Sequence, residues 1–394
     1  MTISLPFPSQ YSLESDPIHR HALENRDLEI ILGVPIDNLT MDETLDRVEQ
    51  MVEVGRATGK THQIATVNTD FLVRAQEDLN LQNLLQHADL CTADGMPLVW
   101  ASKYLNKPLK ERVAGSDMVP ALSARAAKKE MTLYFMGAAP GVAAQAAEQL
   151  MAEHPGLKIV GHSCPFWKPG EQFDEAILQE IRTLAPDILL VALGNPKQEL
   201  WIQEYGKRVR VPVMIGVGAS LDFIVGRVKR APEWMQKSGL EWVARLTQEP
   251  KRLWKRYAND LVKFVPFVIN QWRTNKGAFV AESLTIRMHT LANIAVINVE
   301  GALIHNAGRR LNQSMYQALS RGLDVTLNFA DVTQIDSTTI ATLMQLQKNL
   351  NEIGAEFRIV GMKKPIAEKF ERLRLSKYFK LDKASMVMGT SAGY

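Results

Sequence analysis

Short runs of nearly continuous apolar residues alternate with helical patterns from about Leu28 to Pro232, and this alternation limits the fold more than any other feature. The strand candidates are Ile64–Val67, Met131–Met136, Leu157–Val160, Ile188–Leu193 and Val213–Val217. A strand with one face in water alternates apolar with polar residues. A strand that is apolar throughout is buried on both faces, as in a parallel sheet covered by helices. Between the runs, Thr40 and Glu43 form a capping-box pattern ahead of Leu45, Val48, Met51 and Val52, and Val142–Met151 is an alanine-rich helical stretch. The expected fold is α/β: a doubly wound, mostly parallel, Rossmann-like sheet. Such sheets gather ligands at the carboxyl ends of their strands.

After Pro232 the pattern changes. Leu253, Trp254, Tyr257, Leu261, Phe264, Val265 and Val268 recur at three- and four-residue steps, with Arg252, Lys255, Arg256, Asn259 and Lys263 on the other side. This is a basic amphipathic helix with Pro266 as its kink point. It would either pack on its own domain or lie on an anionic lipid surface, and the two readings can hold in different states. From Lys229 to Lys276 there are eleven Lys and Arg against four Asp and Glu, whereas the whole chain carries only +3. So uneven a charge indicates one anion-seeking surface and not a general nucleic-acid binder.

The chain of 394 residues accommodates more than one domain. The expected division is a loose tail at 1–27, an α/β domain at 28–232, the basic appendage at 233–275, a linker at 276–285 around Thr274-Asn-Lys-Gly277, and a small α/β domain at 286–394. In the last, Ile294–Val299, Val325–Phe329, Phe357–Val360 and a weaker Ser385–Met388 read as strands, and Ala307–Arg321, Thr339–Ile353 and Lys364–Leu373 as helices. Cys91 and Cys164 lack metal-type spacing and suit a reduced cytoplasmic protein. The N-terminus has no signal pattern and no apolar run reaches the roughly 18 residues of a spanning helix, which leaves a soluble or peripheral protein.

Four strand-end loops carry the candidate chemistry: Thr66-Val-Asn68-Thr-Asp70, a turn at Asp89–Pro97 presenting Asp94 beside Gly95, Gly137-Ala-Ala-Pro-Gly141, and Gly194-Asn-Pro-Lys-Gln198-Glu199. The glycine-rich end Gly216-Val-Gly218-Ala-Ser-Leu-Asp222 could bring backbone N–H groups close to a phosphate. Each also has a plain structural reading as a turn or a strand–helix junction. There is no G-x-S-x-G elbow, no Cys/His cluster, no D-x-D pair and no full G-x-G-x-x-G opening a helix. A carboxylate base, a diphosphate cradle and several arginines remain, and they suit displacement of a nucleoside diphosphate by a sugar hydroxyl without metal or other cofactor.

The ordered motifs Asn68-Thr-Asp-Phe-Leu, Ala-Asp94-Gly-Met-Pro-Leu-Val-Trp100, Glu111-Arg112-Val-Ala-Gly-Ser-Asp117, Gly194-Asn-Pro-Lys-Gln-Glu199, Gly216-Val-Gly-Ala-Ser-Leu-Asp222-Phe and Arg230-Ala-Pro through Arg252 resemble the WecG/TagA/CpsF glycosyltransferases over about residues 29–260. The resemblance implies inverting, metal-independent transfer of an N-acetylmannosamine-type sugar from a UDP donor to a polyprenyl-diphosphate-linked N-acetylglucosamine, on the inner face of the cell membrane. Asp94 would be the base, with Thr66, Asn68, Arg112 and Gln198 beside it. Asp222 would hold the nucleotide, while Arg245, Arg252, Lys255 and Arg256 would close over the diphosphate and meet the membrane. Gly137, Gly194, Glu199 and Gly218 complete the expected substrate-binding set. The sequence departs from the family with Lys255 in place of an arginine and with Asp-Gly-Met-Pro in place of Asp-Gly-Ile-Gly.

Residues 286–384 resemble a STAS domain on the strength of Phe329-Ala-Asp-Val-Thr-Gln-Ile-Asp336-Ser337-Thr-Thr339. That resemblance implies a regulatory or scaffolding module with a protein partner and Ser337 as a phosphorylation site, although Thr339 stands where a glycine is usual. Asp336 or Ser337 as a plain helix cap is the alternative. For the whole chain, transfer of another UDP-hexose and a non-catalytic nucleotide-sugar or lipid adaptor both stay open, and so does an oligomer.

Overall fold

The computed structural model describes residues 26–381 except 233, 236–239, 276–283, 305–306 and 320, with a few further helix side chains left out, that of Arg252 among them. The expected tail (but for its last two residues), most of the linker and the weak strand Ser385–Met388 therefore lie outside the described residues. The chain divides into two compact units, with the boundary after Gly277.

The first unit opens with a hairpin of β1 (Leu28–Ile31) and β2 (Val34–Asp37). After α1 (Met41–Thr58) come β3 (His62–Val67), α2 (Thr69–Glu77), α3 (Leu79–His87), β4 (Leu90–Ala93), α4 (Met96–Tyr104), α5 (Gly115–Lys129) and β5 (Thr132–Gly137). Then follow α6 (Val142–Glu153), β6 (Lys158–Ser163), α7 (Glu175–Leu184), β7 (Ile188–Ala192), α8 (Lys197–Val209), β8 (Val213–Gly216), the short α9 (Ser220–Ile224), α10 (Glu241–Gln248) and α11 (Pro250–Asn275).

Strands β3 to β8 make one six-stranded sheet in the order β4-β3-β8-β7-β5-β6, parallel at every pairing. Every residue of β4, β7 and β8 is buried. One apolar layer gathers Val48, Met51, Leu122, Leu133, Phe135 and Ile215; a separate cluster holds Tyr134, Met136, Trp201 and Tyr205. Alternate residues of β5 thus enter different clusters, as the two faces of a doubly covered sheet require. The capping box is present: Thr40 Oγ1 accepts from the Glu43 N–H, and the Glu43 carboxylate accepts from the Thr40 N–H.

Two elements differ from the sequence reading. Leu90–Ala93, expected as part of a turn, is the edge strand β4. Four residues between two aspartates are too short to announce a strand. The hairpin protects the open edge, because the Cys91 N–H donates to Asp37 Oδ2 at 2.8 Å. Helix α11 also differs, since its apolar residues do not share one contact. Leu253, Phe264 and Val268 are buried, while Trp254, Leu261, Val262 and Val265 are exposed. The stripe is wider than one groove can cover. Buried Gln271 closes the far end: its amide donates to Ile30 O at 2.6 Å and accepts from the Leu32 N–H at 2.8 Å.

The second unit is a four-stranded sheet in the order β12-β11-β10-β9, formed by β9 (Thr285–Leu291), β10 (Ile294–Leu303), β11 (Asp324–Ile335) and β12 (Phe357–Val360). Only β9 runs antiparallel to its neighbour. Its helices are α12 (Ala307–Leu319), α13 (Ser337–Glu352) and α14 (Lys364–Arg372). The sequence reading passed over β9, a partly exposed edge strand carrying Arg287 and His289.

Candidate active site

The ends of β3, β4, β7 and β8 open into a cleft of about 1010 Å³ whose far wall is α10 and α11. Of the expected residues, Asp94, Thr66, Asn68, Arg112, Gln198, Gly194, Gly218, Arg245 and Arg256 all line it.

Asp94 follows β4 directly, and its own N–H donates to Val67 O at 2.8 Å. Its carboxylate meets the backbone N–H of Gly115, the first residue of α5. Burial raises its pKa to about 6, against the pull of the Arg112 and Arg245 cations. Ordinary aspartates titrate near 4, so this one is a stronger base that still ionises at neutral pH. Thr66 Oγ1 donates to Gly216 O at 2.8 Å, and Asn68 Oδ1 caps α2 by accepting from the Phe71 N–H. Thr66 is therefore held by the sheet and Asn68 by the start of α2 before any ligand arrives.

Arg112 is clamped. One guanidinium nitrogen reaches Asp117 Oδ2 at 2.6 Å and another reaches Glu241 Oε2 of α10 at 2.9 Å. Arg230 pairs with the same Asp117. Arg245 lies over the Phe223 ring, 5.0 Å from its centroid. The appendage is thus fastened to the sheet domain by ion pairs at the mouth of the cleft.

Several expected residues stand elsewhere. Glu199 is fully buried and outside the cleft lining; it accepts from Gln198 Nε2 at 2.8 Å, and burial raises its pKa to about 8, which keeps it a neutral acid. Gln198 also accepts from the Gly218 N–H at 3.0 Å, so that donor is already used. Gly216 permits this packing, because a Cβ there would lie 2.5 Å from both Gln198 Nε2 and Glu199 Oε1. Gly137 is pressed against strand β7, where a Cβ would lie 2.7 Å from the Ala192 carbonyl, and it does not face the cleft. Asp222, on α9, has its Oδ1 3.9 Å from Arg227 Nε and is outside the cleft lining, whereas its neighbours Ser220 and Phe223 line the cleft. Lys255 is exposed with its ammonium over Trp254, because its position on α11 faces away from the buried side. The Arg252 side chain lies outside the described residues.

Sequence reasoning missed Glu241, Arg74 and Asp260; Asp70, named there only as the end of a strand-end loop, stands in the first turn of α2 beside the last two. Asp260 is 5% exposed and lines the cleft. Burial and the Asp70 charge raise its pKa to about 6, opposed by Arg256 and Arg74. A lone acid inside an apolar helical stripe was the available signal. Among the described residues, no helix is long and apolar enough to cross a membrane.

In the second unit, Ser337 is the first residue of α13, and Asp336 is the cap: its Oδ1 accepts from the Thr339 N–H at 2.7 Å. Thr339 is fully buried, with its hydroxyl within reach of Leu303 O.

Comparison with known proteins agrees with this architecture. The model of the "Glycosyl transferase WecG/TagA/CpsF family" matches residues 29–278, and that of the STAS domain matches residues 285–385. An N-acetylglucosaminyldiphosphoundecaprenol N-acetyl-beta-D-mannosaminyltransferase of Bacillus spizizenii (strain W23) is 34% identical over 212 residues, covering 54% of this chain and 80% of that protein. The enzyme of the same name from Bacillus subtilis (strain 168) is 31% identical over 248 residues, covering 63% of this chain and 93% of its own. Among solved structures, the unphosphorylated anti-sigma factor antagonist SpoIIAA aligns with 27% of this chain and 90% of its own at 15% identity and a TM-score of 0.23. With a family model covering most of its length and relatives above 30% identity matched over most of theirs, this chain belongs to the WecG/TagA/CpsF family of glycosyltransferases.

Proposed function

We propose that the enzyme transfers an N-acetylmannosamine-type sugar from a UDP donor to a polyprenyl-diphosphate-linked N-acetylglucosamine, by a single inverting displacement that needs no metal. The observation that carries this reading is Asp94, a carboxylate of raised pKa set in one cleft with Arg112 and Arg245. In the reaction, Asp94 accepts the proton of the acceptor hydroxyl as its oxygen attacks the anomeric carbon. The bond from that carbon to the UDP oxygen breaks, and the electron pair leaves with the diphosphate. Arg112 and Arg245 supply positive charge where the departing diphosphate gathers negative charge. The names of the two Bacillus relatives support the choice of sugars and acceptor.

The exposed Trp254 and Val262 of α11, beside Leu261 and Val265 that are exposed and also line the cleft, support peripheral attachment to the inner face of the membrane, where the lipid acceptor lies. Mass spectrometry of products from a panel of UDP-sugars, offered with N-acetylglucosaminyl-diphosphoundecaprenol, tests the reaction. Product from UDP-N-acetylmannosamine is expected, whereas activity confined to a UDP-hexose without the acetamido group would overturn the donor assignment.

The second unit fits a regulatory or scaffolding role, with Ser337 as its phosphorylation site. A phosphate there would sit at the α13 N-terminus, favoured by the helix dipole but crowded by Asp336. Phosphopeptide mapping of the protein from its native cells should find Ser337 modified; an unmodified residue under every growth condition counts against the switch.

A further inference from the structure

The cleft has a second polar end, built from other residues than the first. Asp94 responds to Arg112, Arg245 and Glu241, whereas Asp260 responds to Asp70, Arg256 and Arg74. This second group comes from α2, the loop after β7, and α11, and all of Asp70, Arg74, Asn195, Arg256 and Asp260 line the cleft. Within it, Asp70 is fully engaged: Oδ1 accepts from Arg74 Nε at 2.9 Å and Oδ2 from Asn195 Nδ2 at 2.8 Å. Those two bonds orient Asn195 and commit its amide nitrogen. Three atoms are left over. Asp260 Oδ1, Asn195 Oδ1 and Arg256 Nε are each buried with no hydrogen-bond partner among the described residues.

A buried polar atom without a partner costs about 1–3 kcal/mol, so three around one cleft wall mark a place built for a ligand. Their chemistry narrows its class. Two acceptors and one donor match the hydroxyl and acetamido groups of a sugar ring, which both give and take hydrogen bonds. Two of the three unpartnered atoms are acceptors, which a phosphate oxygen cannot satisfy, and a phosphate here would face both Asp70 and Asp260. Tyr257 lies one helical turn from Asp260 and lines the same cleft, with Trp242 edge-on to it at 6.0 Å between centroids. An aromatic wall beside convergent polar groups is what a pyranose ring needs.

We propose that Asp260, Asn195 and Arg256, positioned by Asp70, form a hexosamine-binding subsite distinct from the diphosphate-binding cations Arg112 and Arg245. It takes the sugar ring of either the donor or the acceptor. Arg256 accordingly serves the ring and not the diphosphate. The assignment rests on the glycosyl-transfer reading and refines it by giving the sugar its own recognition residues.

The test is steady-state kinetics of the full chain with UDP-N-acetylmannosamine and a short-prenyl N-acetylglucosaminyl diphosphate, each varied with the other saturating. Calorimetry with UDP alone monitors the nucleotide end. Asp260→Ala should raise the KM of one of the two sugar substrates at least tenfold while UDP affinity stays within twofold, and Asp260→Asn should recover part of the loss. Arg256→Lys keeps the charge, removes Nε–H and should move the same KM. A shift in the donor KM assigns the subsite to the transferred sugar; a shift in the acceptor KM assigns it to the acceptor. Both KM values within twofold of wild type, in variants that retain the wild-type thermal transition, overturn the subsite alone. A wild-type chain that transfers no sugar from any UDP-hexosamine overturns the transfer reading and the subsite with it.

Discussion

The cleft has two walls, made by different means. The sheet wall places Asp94, Thr66 and Asn68 at the ends of buried strands and Gln198 in the first turn of α8, each fixed by hydrogen bonds to backbone. The appendage wall is fastened by ion pairs, Glu241 to Arg112 and Lys263 to Glu77, and by one side of α11, with the other side left to solvent. Backbone-anchored groups hold their place when salt changes, whereas the exposed Lys263–Glu77 pair is screened and worth little, so the more buried Arg112–Glu241 pair carries most of the fastening. Under the proposed reaction, this difference puts the reacting atoms on the sheet wall and substrate capture on the appendage.

The sharpest way to break that division is Asp94→Asn, for which a 10²–10⁴-fold fall in turnover is expected with UDP binding nearly unchanged. Turnover near the wild-type level would take the base off the sheet wall. The same residue sets a pH signature. A base whose pKa is raised to about 6 loses its ionised form as pH falls through that value, so kcat/KM should drop about tenfold per pH unit below it. Arg245→Gln removes a cation that holds this pKa down and should move the midpoint upward; a midpoint that stays in place would show that the limb belongs to another group, Asp260 being the first to examine.

Gly216→Ala probes how rigid the sheet wall is. Its new Cβ must displace Gln198 and Glu199, which are both buried, at a cost of about 1–3 kcal/mol. A lowered thermal midpoint is expected, together with reduced transfer. An unchanged midpoint would mean that the Gln198–Glu199 pair yields easily and that the wall is softer than its hydrogen bonds imply.

The smallest effect belongs to the outward face of the appendage. Replacing Trp254 and Val262, which are exposed and outside the cleft lining, by Ser should weaken use of an undecaprenyl acceptor several-fold more than use of a short-chain one, since burial in lipid contributes about 0.8 kcal/mol per CH₂. Arg252→Ala should act in the same direction. Equal losses with both acceptors would remove the lipid from the account of this wall.

Much of this was legible in the chain. The fully apolar runs announced a parallel sheet, the Thr40–Glu43 cap was readable as written, and Asp94 stood out as a carboxylate beside glycine at a strand end. Asp222, Gly137 and Glu199 looked equally plausible because a strand-end loop brings several polar residues near a cleft but turns only some of them into it. Asp260 was hidden because an acid in an amphipathic helix reads as a surface charge until the helix's partner is known.

Local periodicity and spacing determined the layers and the edge to which ligands are drawn, since these follow from interactions between residues close in the chain. Tertiary structure alone decided which side of α11 is covered, that Glu241 would seize Arg112, and that Asp70, Asn195 and Asp260 would meet. Residue pairs such as Asp70 and Asn195, 125 positions apart, have no common pattern in sequence. Only the convergence of the chain after β3, after β7 and along α11 at one sheet edge brings their side chains within reach of each other.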